Sequence, residues 1–438
     1  MSENMQDGDE RHFANQLTEM AVTHKVEAAE DIYSANGIKL LAKGAAINKS
    51  LYDKVVTHKL TKPLESSVQV ENAPTGDALY LIAEKAFDSN PPLAKLASWK
   101  QDGETAVSIF KRLRFQPAAS TLLSVHHARN EHVKLHCVQV ALLAMGLLKK
   151  SQDVSIDQIQ QMGMAGMFHD IGEVYIDPTL FTRGGRQLTP LEWKQIAAHP
   201  VVGEIILKRI EGFPASVSKM IFEHHERLDG FGYPKGTKGN DISLGGQVLG
   251  AAETLSGLLA KKTKPLAHAE LAMKLIPGEY ARNIIDLIAK ARENVADESK
   301  ENTTEQKNDL RLLVNNLYLQ LSQVKEVTLQ LVKDMVQYTS ATRKVFDDII
   351  QRYAQVQRGL SSTGLNMDDL DPESLLQLIE AEDPGIQFET TIIINEIRWR
   401  FFELSRITAL HSVELPEKEM QALLSLAAAL NGDSQKGQ

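Results

Sequence analysis

Apolar residues recur three and four positions apart through most of the chain between residues 77 and 294, which is the spacing of one face of an α-helix. The stretches with this spacing are 78–86, 106–113, 134–148, 156–168, 190–210 and 215–225. Few runs in this part of the chain alternate as a strand does. We therefore predict an all-helical domain over residues 77–294.

The first 75 residues follow a different pattern. Residues 1–20 are polar and acidic and are predicted to form a tail. In residues 21–75, Asn36–Gly37 separates two apolar runs, which is a strong hairpin signal. A helical stretch over 48–58 would close a small β-containing module. A local hairpin without any ligand is the simpler interpretation of this module.

After a polar stretch at 295–309, predicted to be a linker, apolar residues alternate steps of four and three. These residues are Leu310, Val314, Leu317, Leu321, Val324, Thr328, Leu331, Met335 and Tyr338. The pattern predicts either a coiled-coil seam, hence a homodimer, or the core helix of an ordinary bundle. Further helices within 374–381, 390–407 and 416–430 would complete a helical region over 310–438.

Composition narrows the range of functions. A chain of 438 residues predicts two or three domains, and its net charge of -9 argues against binding a nucleic-acid polymer or an anionic membrane. A local basic pocket for a phosphorylated ligand stays compatible with this charge. The single cysteine, Cys137, fits a reducing compartment. The start does not resemble a signal peptide, and no run approaches the roughly 18 apolar residues of a membrane span. We therefore expect a cytoplasmic protein.

Histidines are concentrated in one part of the chain. Eight of the 13 are His126, His127, His132, His136, His169, His199, His224 and His225. A single buried histidine is usually a satisfied core residue, but a cluster with an adjacent His–Asp pair indicates a metal site.

The spacing of these histidines supports a metal site. His132 and His136 are four apart and share a helix face. His169 and Asp170 follow an apolar helix, and a carboxylate there can bridge two ions. Imidazoles mixed with a carboxylate suit Fe, Mn, Ni or Zn. Two such ions about 4 Å apart can hold a phosphodiester and generate hydroxide.

Two motifs carry a resemblance to a known family. They are HDIGEVYIDP at 169–178 and HHERLDGFGYPKG at 224–236, with His199 between them. The chain resembles the HD-GYP family, a branch of the HD-domain metal-dependent phosphohydrolases. The Gly232–Tyr233–Pro234 triplet is the one that names the family, and the resemblance covers residues 120–290.

The resemblance implies a fold, an activity and a set of site residues. Members commonly hydrolyse cyclic di-GMP to pGpG or GMP with metal-activated hydroxide, so two divalent ions and a cyclic dinucleotide are the expected cofactors and partner. By position, the metal ligands are His136, His169, Asp170, His199, His224 and His225, with Asp170 bridging and orienting the hydroxide. Glu253 and His132 are further candidate ligands. The candidate substrate-binding residues are Gly232, Tyr233, Pro234, Arg227, Lys235 and, with less support, Lys262.

The chain also departs from the family pattern. Glu173 replaces a lysine that contacts phosphate, and Ser256 stands where a second aspartate is usual. Glu253 replaces another aspartate and carries one more methylene. Where some relatives use a glutamate to hold a third metal, this chain has His132. These changes leave an alternative open: a weak or inactive module that binds metal or nucleotide and acts in signalling.

Overall fold

The computed structural model describes residues 6–182, 188–261, 263–293, 304–365 and 372–432, and these are mainly helical, as predicted. The helices are α1 (Gln6–Met20), α2 (Lys49–Thr57), α3 (Leu64–Ser67), α4 (Gly76–Ser89), α5 (Pro91–Ala97), α6 (Ala106–Ile109), α7 (Pro117–Ala128), α8 (Glu131–Ser151), α9 (Ile156–Phe168), α10 (Pro190–Ile196), α11 (His199–Arg209), α12 (Ala215–Glu223), α13 (Leu244–Leu259), α14 (Pro265–Lys274), α15 (Arg282–Glu293), α16 (Thr304–Asp334), α17 (Ser340–Ser362), α18 (Pro372–Ala381), α19 (Pro384–Ser412) and α20 (Glu417–Asn431). The strands are β1 (Val26–Ala28), β2 (Ile32–Tyr33), β3 (Lys39–Leu41) and β4 (Val68–Val70).

The chain divides into two compact units, each assembled from several segments. The first contains Met1–Gln187, Gln195–Pro265 and Tyr280–Ala291, and the second contains Leu188–Lys194, Leu266–Glu279 and Arg292–Gln438. This division differs from the predicted boundaries, which separated residues 21–75 from 77–294 and kept 77–294 whole.

The predicted hairpin around Asn36–Gly37 is present in the first unit. β2 and β3 pair antiparallel, and Gly37 has a φ of 79°, a left-handed conformation that glycine adopts without steric cost. A second antiparallel pair, β1 with β4, joins residues some forty positions apart. The sequence analysis did not predict this pairing, because no local turn links the two strands.

The predicted polar tail over residues 1–20 is wrong for Gln6–Met20. This segment is a helix, and Phe13 and Leu17 on it are fully buried. The Phe13 ring stacks on Tyr175 with the ring centroids 5.1 Å apart, and the Gln16 amide donates to the Val174 carbonyl over 2.9 Å. Acidic residues on the rest of this helix make its overall composition polar, so its apolar face is not evident from composition.

The small β-containing module shares its core with the helices that follow. The Thr121 hydroxyl donates to the Val68 carbonyl over 3.3 Å, and the Tyr175 hydroxyl donates to the buried Glu65 carboxylate over 2.9 Å. These long-range bonds explain why residues 21–75 belong to the first unit and not to a module of their own.

The helix predicted over 190–210 is two helices, α10 and α11. α10 ends at Ile196 and α11 begins at His199, with Pro200 in its first turn. Proline fits the first turn because its missing N–H would have no partner there, so it marks a helix start. The interruption makes His199 the first residue of a helix.

The sequence was expected to contain no segment long and apolar enough to cross a membrane, but one helix of the structure meets that criterion. By length and composition alone, α8 passes such a test over 18 residues, of which 61% are buried within the fold. Core helices of globular proteins pass the same test. Cys137, Val138 and Ala141 on α8 are fully buried against neighbouring helices.

The second unit is a helical bundle, and the heptad residues form its core. Leu310, Val314, Leu317, Val324 and Leu331 are buried in one cluster with apolar residues of α17, α19 and α20. These heptad residues are thus buried within the chain, which corresponds to the bundle alternative. The linker predicted at 295–309 lies outside the described residues up to 303, and from Thr304 the chain is helical.

We predict that the first helix is required for stability. Phe13→Ala is expected to lower the free energy of unfolding by about 3–5 kcal/mol, because it removes a fully buried ring and leaves a cavity. Val22→Ala is the matched control, since Val22 is 85% exposed. Urea unfolding followed by circular dichroism measures both. Equal midpoints for the two variants would mean that α1 is not part of the core.

Candidate metal centre

The six histidine and aspartate residues expected to bind metal come from four parts of the first unit. His136 lies on α8, and His169 and Asp170 follow α9. His199 begins α11, and His224 and His225 follow α12. The structure gathers these side chains, together with Glu253 of α13, into two adjoining groups of ligand atoms. One group is Asp170, His199, His224 and His225, and the other is His136, His169 and Glu253.

The Asp170 carboxylate lies between the two groups and turns one oxygen to each. Its Oδ1 is 3.3 Å from His199 Nε2 and 3.6 Å from His224 Nε2. Its Oδ2 is 3.0 Å from His169 Nε2. This is the arrangement of a carboxylate that bridges two cations.

Glu253 completes the second group. Its Oε2 is 3.0 Å from His136 Nε2 and 3.2 Å from His169 Nε2. The longer side chain therefore reaches the position that the family's aspartate would serve, because α13 packs beside α8 and lets the extra methylene be accommodated.

Two of the candidate donor atoms have the property expected of metal ligands, which is burial without a hydrogen-bond partner. His169 Nε2 and Glu253 Oε2 are buried, yet neither forms a hydrogen bond with any described residue, although they are 3.2 Å apart. The two atoms are within hydrogen-bond distance of each other, so it is the angle between them that excludes a bond. Buried polar atoms normally have partners, so a cation between them is the group that this geometry accommodates.

Backbone carbonyls hold the imidazole rings in position. The Nδ1 atoms of His169, His199 and His224 donate to the carbonyls of Gly166, Ile196 and Ile221 over 2.8, 2.8 and 2.6 Å. Each bond leaves Nε2 free to ligate and fixes the ring orientation. His136 Nδ1 lies 3.2 Å from Ser256 Oγ, so the serine that departs from the family pattern still orients a ligand.

Close packing around Gly172 places Asp170 beside α11. A Cβ at this residue would lie 2.1 Å from the His199 carbonyl oxygen and 2.8 Å from the Gly203 nitrogen. Only glycine permits this approach. The glycine of the first motif therefore brings the Asp170 and His199 segments into contact.

The charges of the cluster shift the protonation of its members. Burial lowers the pKa of His169, but the adjacent carboxylates of Asp170 and Glu253 outweigh this and raise it well above its usual value. Burial alone would raise the pKa of Asp170 and of Glu253, but the neighbouring imidazoles hold both well below the normal range. Both carboxylates are thus ionised and require positive charge beside them.

The loop of the second motif folds back onto the candidate metal ligands. The Tyr233 ring stacks on His225 with the ring centroids 4.6 Å apart, and a Cβ at Gly232 would lie 2.3 Å from the His225 carbonyl oxygen. Buried Glu226 accepts hydrogen bonds from the backbone N–H groups of Lys235 and Thr237 over 2.8 Å each. The sequence analysis missed Glu226, whose position inside the motif was the available signal.

Three expected site residues that the structure describes do not join the cluster. His132 is exposed and lies outside both groups of described ligand atoms. The Arg227 guanidinium donates to the His224 and Glu226 carbonyls and lies over the Tyr280 ring, so it braces the loop. Lys235 is exposed, with its ammonium 4.9 Å from the Phe222 ring centroid. Lys262 lies outside the described residues.

Glu173 is paired with a cation that the sequence analysis did not single out. Arg129 Nη1 lies 2.5 Å from Glu173 Oε2, and its guanidinium also covers the Phe181 ring at 4.4 Å. The two side chains are only 14% and 18% exposed. In the sequence Glu173 replaces a lysine that would contact phosphate, and the structure pairs its charge with an arginine 44 residues away.

A comparison with known proteins agrees with this geometry. Residues 123–286 match the model of the HD domain family. The chain is 29% identical over 153 residues to a probable cyclic di-GMP phosphodiesterase of Vibrio cholerae, covering 33% of this chain and 34% of the relative. It is 29% identical over 135 residues to the 3'3'-cGAMP-specific phosphodiesterase 3 of the same organism, covering 31% and 29%.

A third relative is the cyclic di-GMP phosphodiesterase of Thermotoga maritima, 26% identical over 175 residues, which cover 39% of this chain and 47% of the relative. The chain thus spans from under a third to about half of the length of these curated relatives. Their similarity confirms the family indicated by the two motifs. Residues 123–286 are therefore similar to the HD domain family and to these cyclic dinucleotide phosphodiesterases.

Proposed function

We propose that this protein is a metal-dependent phosphodiesterase that hydrolyses cyclic di-GMP or a closely related cyclic dinucleotide in the cytoplasm. The observation that carries the proposal is the Asp170 carboxylate, whose two oxygens face two separate groups of imidazoles. Such a bridge suits a pair of ions at the spacing that phosphodiester hydrolysis uses. The relatives named for cyclic di-GMP and 3'3'-cGAMP hydrolysis support the substrate class.

The two groups of ligand atoms would each hold one divalent ion, with Asp170 shared between them. The mixture of imidazole and carboxylate fits Fe, Mn, Ni or Zn. Bound there, the ions would supply Lewis-acid charge to the phosphate and lower the pKa of a coordinated water. The protein's own contribution is to fix the positions of the ligands, through the carbonyls that hold the imidazoles.

The residues around the centre would orient the substrate. Tyr233 presents an aromatic ring next to His225, where a nucleotide base or sugar could pack. Glu226 holds the loop that carries this ring. The Arg129–Glu173 pair keeps this side of the centre close to neutral, so a phosphate approaching it does not meet an isolated carboxylate.

The alternative is a module that binds metal or nucleotide without appreciable turnover. Glu173 favours it, because a neutral pair does not replace the attraction of a lysine for phosphate. Ser256 and Glu253 no longer favour it as strongly, since both contact metal-site histidines. We therefore favour the enzyme.

Turnover by the metal-loaded protein tests the proposal directly. The protein purified from medium supplied with Mn²⁺ or Fe²⁺ is expected to hydrolyse cyclic di-GMP, 3'3'-cGAMP or both. Asp170→Asn should reduce bound metal and lower turnover on the order of a hundredfold or more, because it removes the bridge that positions both ions.

Asp153→Asn is the control, since the Asp153 side chain is 99% exposed. Bound metal by mass spectrometry and nucleotide products by chromatography are the two measurements. A protein that carries metal but turns over neither dinucleotide faster than Asp170→Asn contradicts the enzyme proposal.

The Arg129–Glu173 pair gives a second prediction. Arg129→Ala should lower kcat/KM roughly ten- to hundredfold, the equivalent of about 1–3 kcal/mol, because it leaves the Glu173 carboxylate unpaired beside the substrate's phosphates. The matched double variant Arg129→Ala/Glu173→Gln removes both charges and should recover most of the loss. Equal activity of the single and double variants would show that the charge of Glu173 does not act on the substrate.

The pKa shifts give a third prediction. His169 has a pKa raised well above 6.5, so it holds a proton near neutral pH when no metal is bound, and that proton must leave when a cation binds. Binding of Mn²⁺ is therefore expected to release protons and to weaken as the pH falls, by about tenfold per pH unit for each proton displaced. Calorimetric titrations in buffers of different ionisation enthalpy measure both quantities. An affinity that does not change between about pH 6 and pH 8 would contradict this assignment.

A further inference from the structure

A second cluster of ligand-type side chains lies between α7 and α8. His126 and His127 occupy the last turn of α7, and Cys137 lies on the second turn of α8. One ligand atom from each of these three residues lies within 4.8 Å of the others. Adjacent residues on a helix normally point about 100° apart, so the convergence of both imidazoles on one thiol is a specific arrangement.

These three side chains are more deeply buried than most of the metal centre described above. The residues are 1%, 7% and 0% exposed for His126, His127 and Cys137. The Nε2 atoms of both histidines are buried and have no hydrogen-bond partner among the described residues. A buried imidazole nitrogen without a hydrogen bond lowers stability. The Nε2 atom of His127 has no ion-pair partner among the described residues either, so packing alone does not account for it.

The two nitrogens of His126 face different neighbours. Its Nδ1 lies 3.9 Å from Cys137 Sγ, and its Nε2 lies 3.9 Å from Glu173 Oε2. Histidines that ligate metals usually direct their second nitrogen toward a carboxylate or carbonyl. Glu173 thus stands where such a partner would be, on the side of the ring away from the sulfur.

We propose that His126, His127 and Cys137 form a structural metal site for a thiophilic cation, Zn²⁺ or Cu⁺, separate from the Asp170 centre. The thiolate and two imidazoles are the ligands that such soft or borderline cations select. Glu173 orients His126 and offsets the remaining positive charge. The site joins α7 to α8 at Cys137, one residue after His136, and so fixes a ligand of the proposed main centre. This inference does not depend on the proposed hydrolysis.

The distances require a small contraction when the metal binds. Ligand atoms that share one zinc ion lie about 3.3–3.6 Å apart at bond lengths of 2.0–2.3 Å. The Nδ1 to Sγ separation of 3.9 Å is already close to this, and the widest separation in the cluster needs to shorten by about 1 Å.

The absorption spectrum of the cobalt-substituted protein tests this site specifically. Cys137 is the single cysteine of the chain, so any thiolate-to-cobalt charge-transfer band must arise from it. Because the cluster is buried, the full-length protein is produced in medium containing Co²⁺, so that the ion is present while the chain folds. Absorption spectra and metal content are then compared among the wild type, Cys137→Ser, His127→Gln and Asp170→Asn.

The wild type is expected to show the charge-transfer band, and Asp170→Asn should retain it while losing cobalt from the main centre. Cys137→Ser should lose the band and one equivalent of metal, and His127→Gln should shift or weaken the band while remaining folded by circular dichroism. The same set grown with Zn²⁺ should lose one equivalent of zinc in Cys137→Ser.

A wild-type protein that binds cobalt but lacks the band overturns the proposal. A band that is unchanged in His127→Gln overturns the three-residue ligand set. These outcomes are distinct from failure of the proposed function, because neither readout involves a nucleotide.

Discussion

The arrangement of the first unit depends on one buried carboxylate. Asp170 is only 18% exposed, and its charge is held by imidazoles from segments that are far apart in the sequence. A buried charge without compensation is strongly destabilising, so the ends of α9, α11 and α12 must meet at this residue. The glycine at 172 and the carbonyl bonds to the imidazoles follow from the same requirement.

Local patterns predicted most of the helices, because an amphipathic face leaves a periodic trace in the sequence. α9 has the bounds that the apolar spacing gave, Ile156–Phe168. The elements that were not predicted share one cause, which is that they are stabilised by residues far away in the sequence. β1 pairs with β4, and the apolar face of α1 is recognisable only once Tyr175 is known to cover Phe13. The break before His199 did have a local signal, Pro200, which periodicity alone passed over.

The metal centre was more predictable than the residues that support it. Four of the candidate ligands, His169, Asp170, His224 and His225, lie within the two motifs, and the geometry places Asp170 between the two groups of imidazoles. Arg129 and the pairing of His126 with Cys137 had no such signal, since single residues outside a motif look like ordinary surface or core positions. The expectation for His132 came from helix spacing, which places it on the face of His136 but one turn further out, where it is exposed.

The expected effect of Glu173 on the substrate changes once its neighbours in the fold are known. In the sequence it is a lost phosphate contact, and alone it would repel the substrate. In the fold its Oε2 atom lies 2.5 Å from Arg129 Nη1 and 3.9 Å from His126 Nε2, so one carboxylate faces both a half-buried guanidinium and a buried imidazole. A lysine in its place would set two cations together and leave His126 without an acceptor. Glu173 therefore interacts with both Arg129 and His126. Its effect on the substrate depends on whether the charge of Arg129 compensates its own.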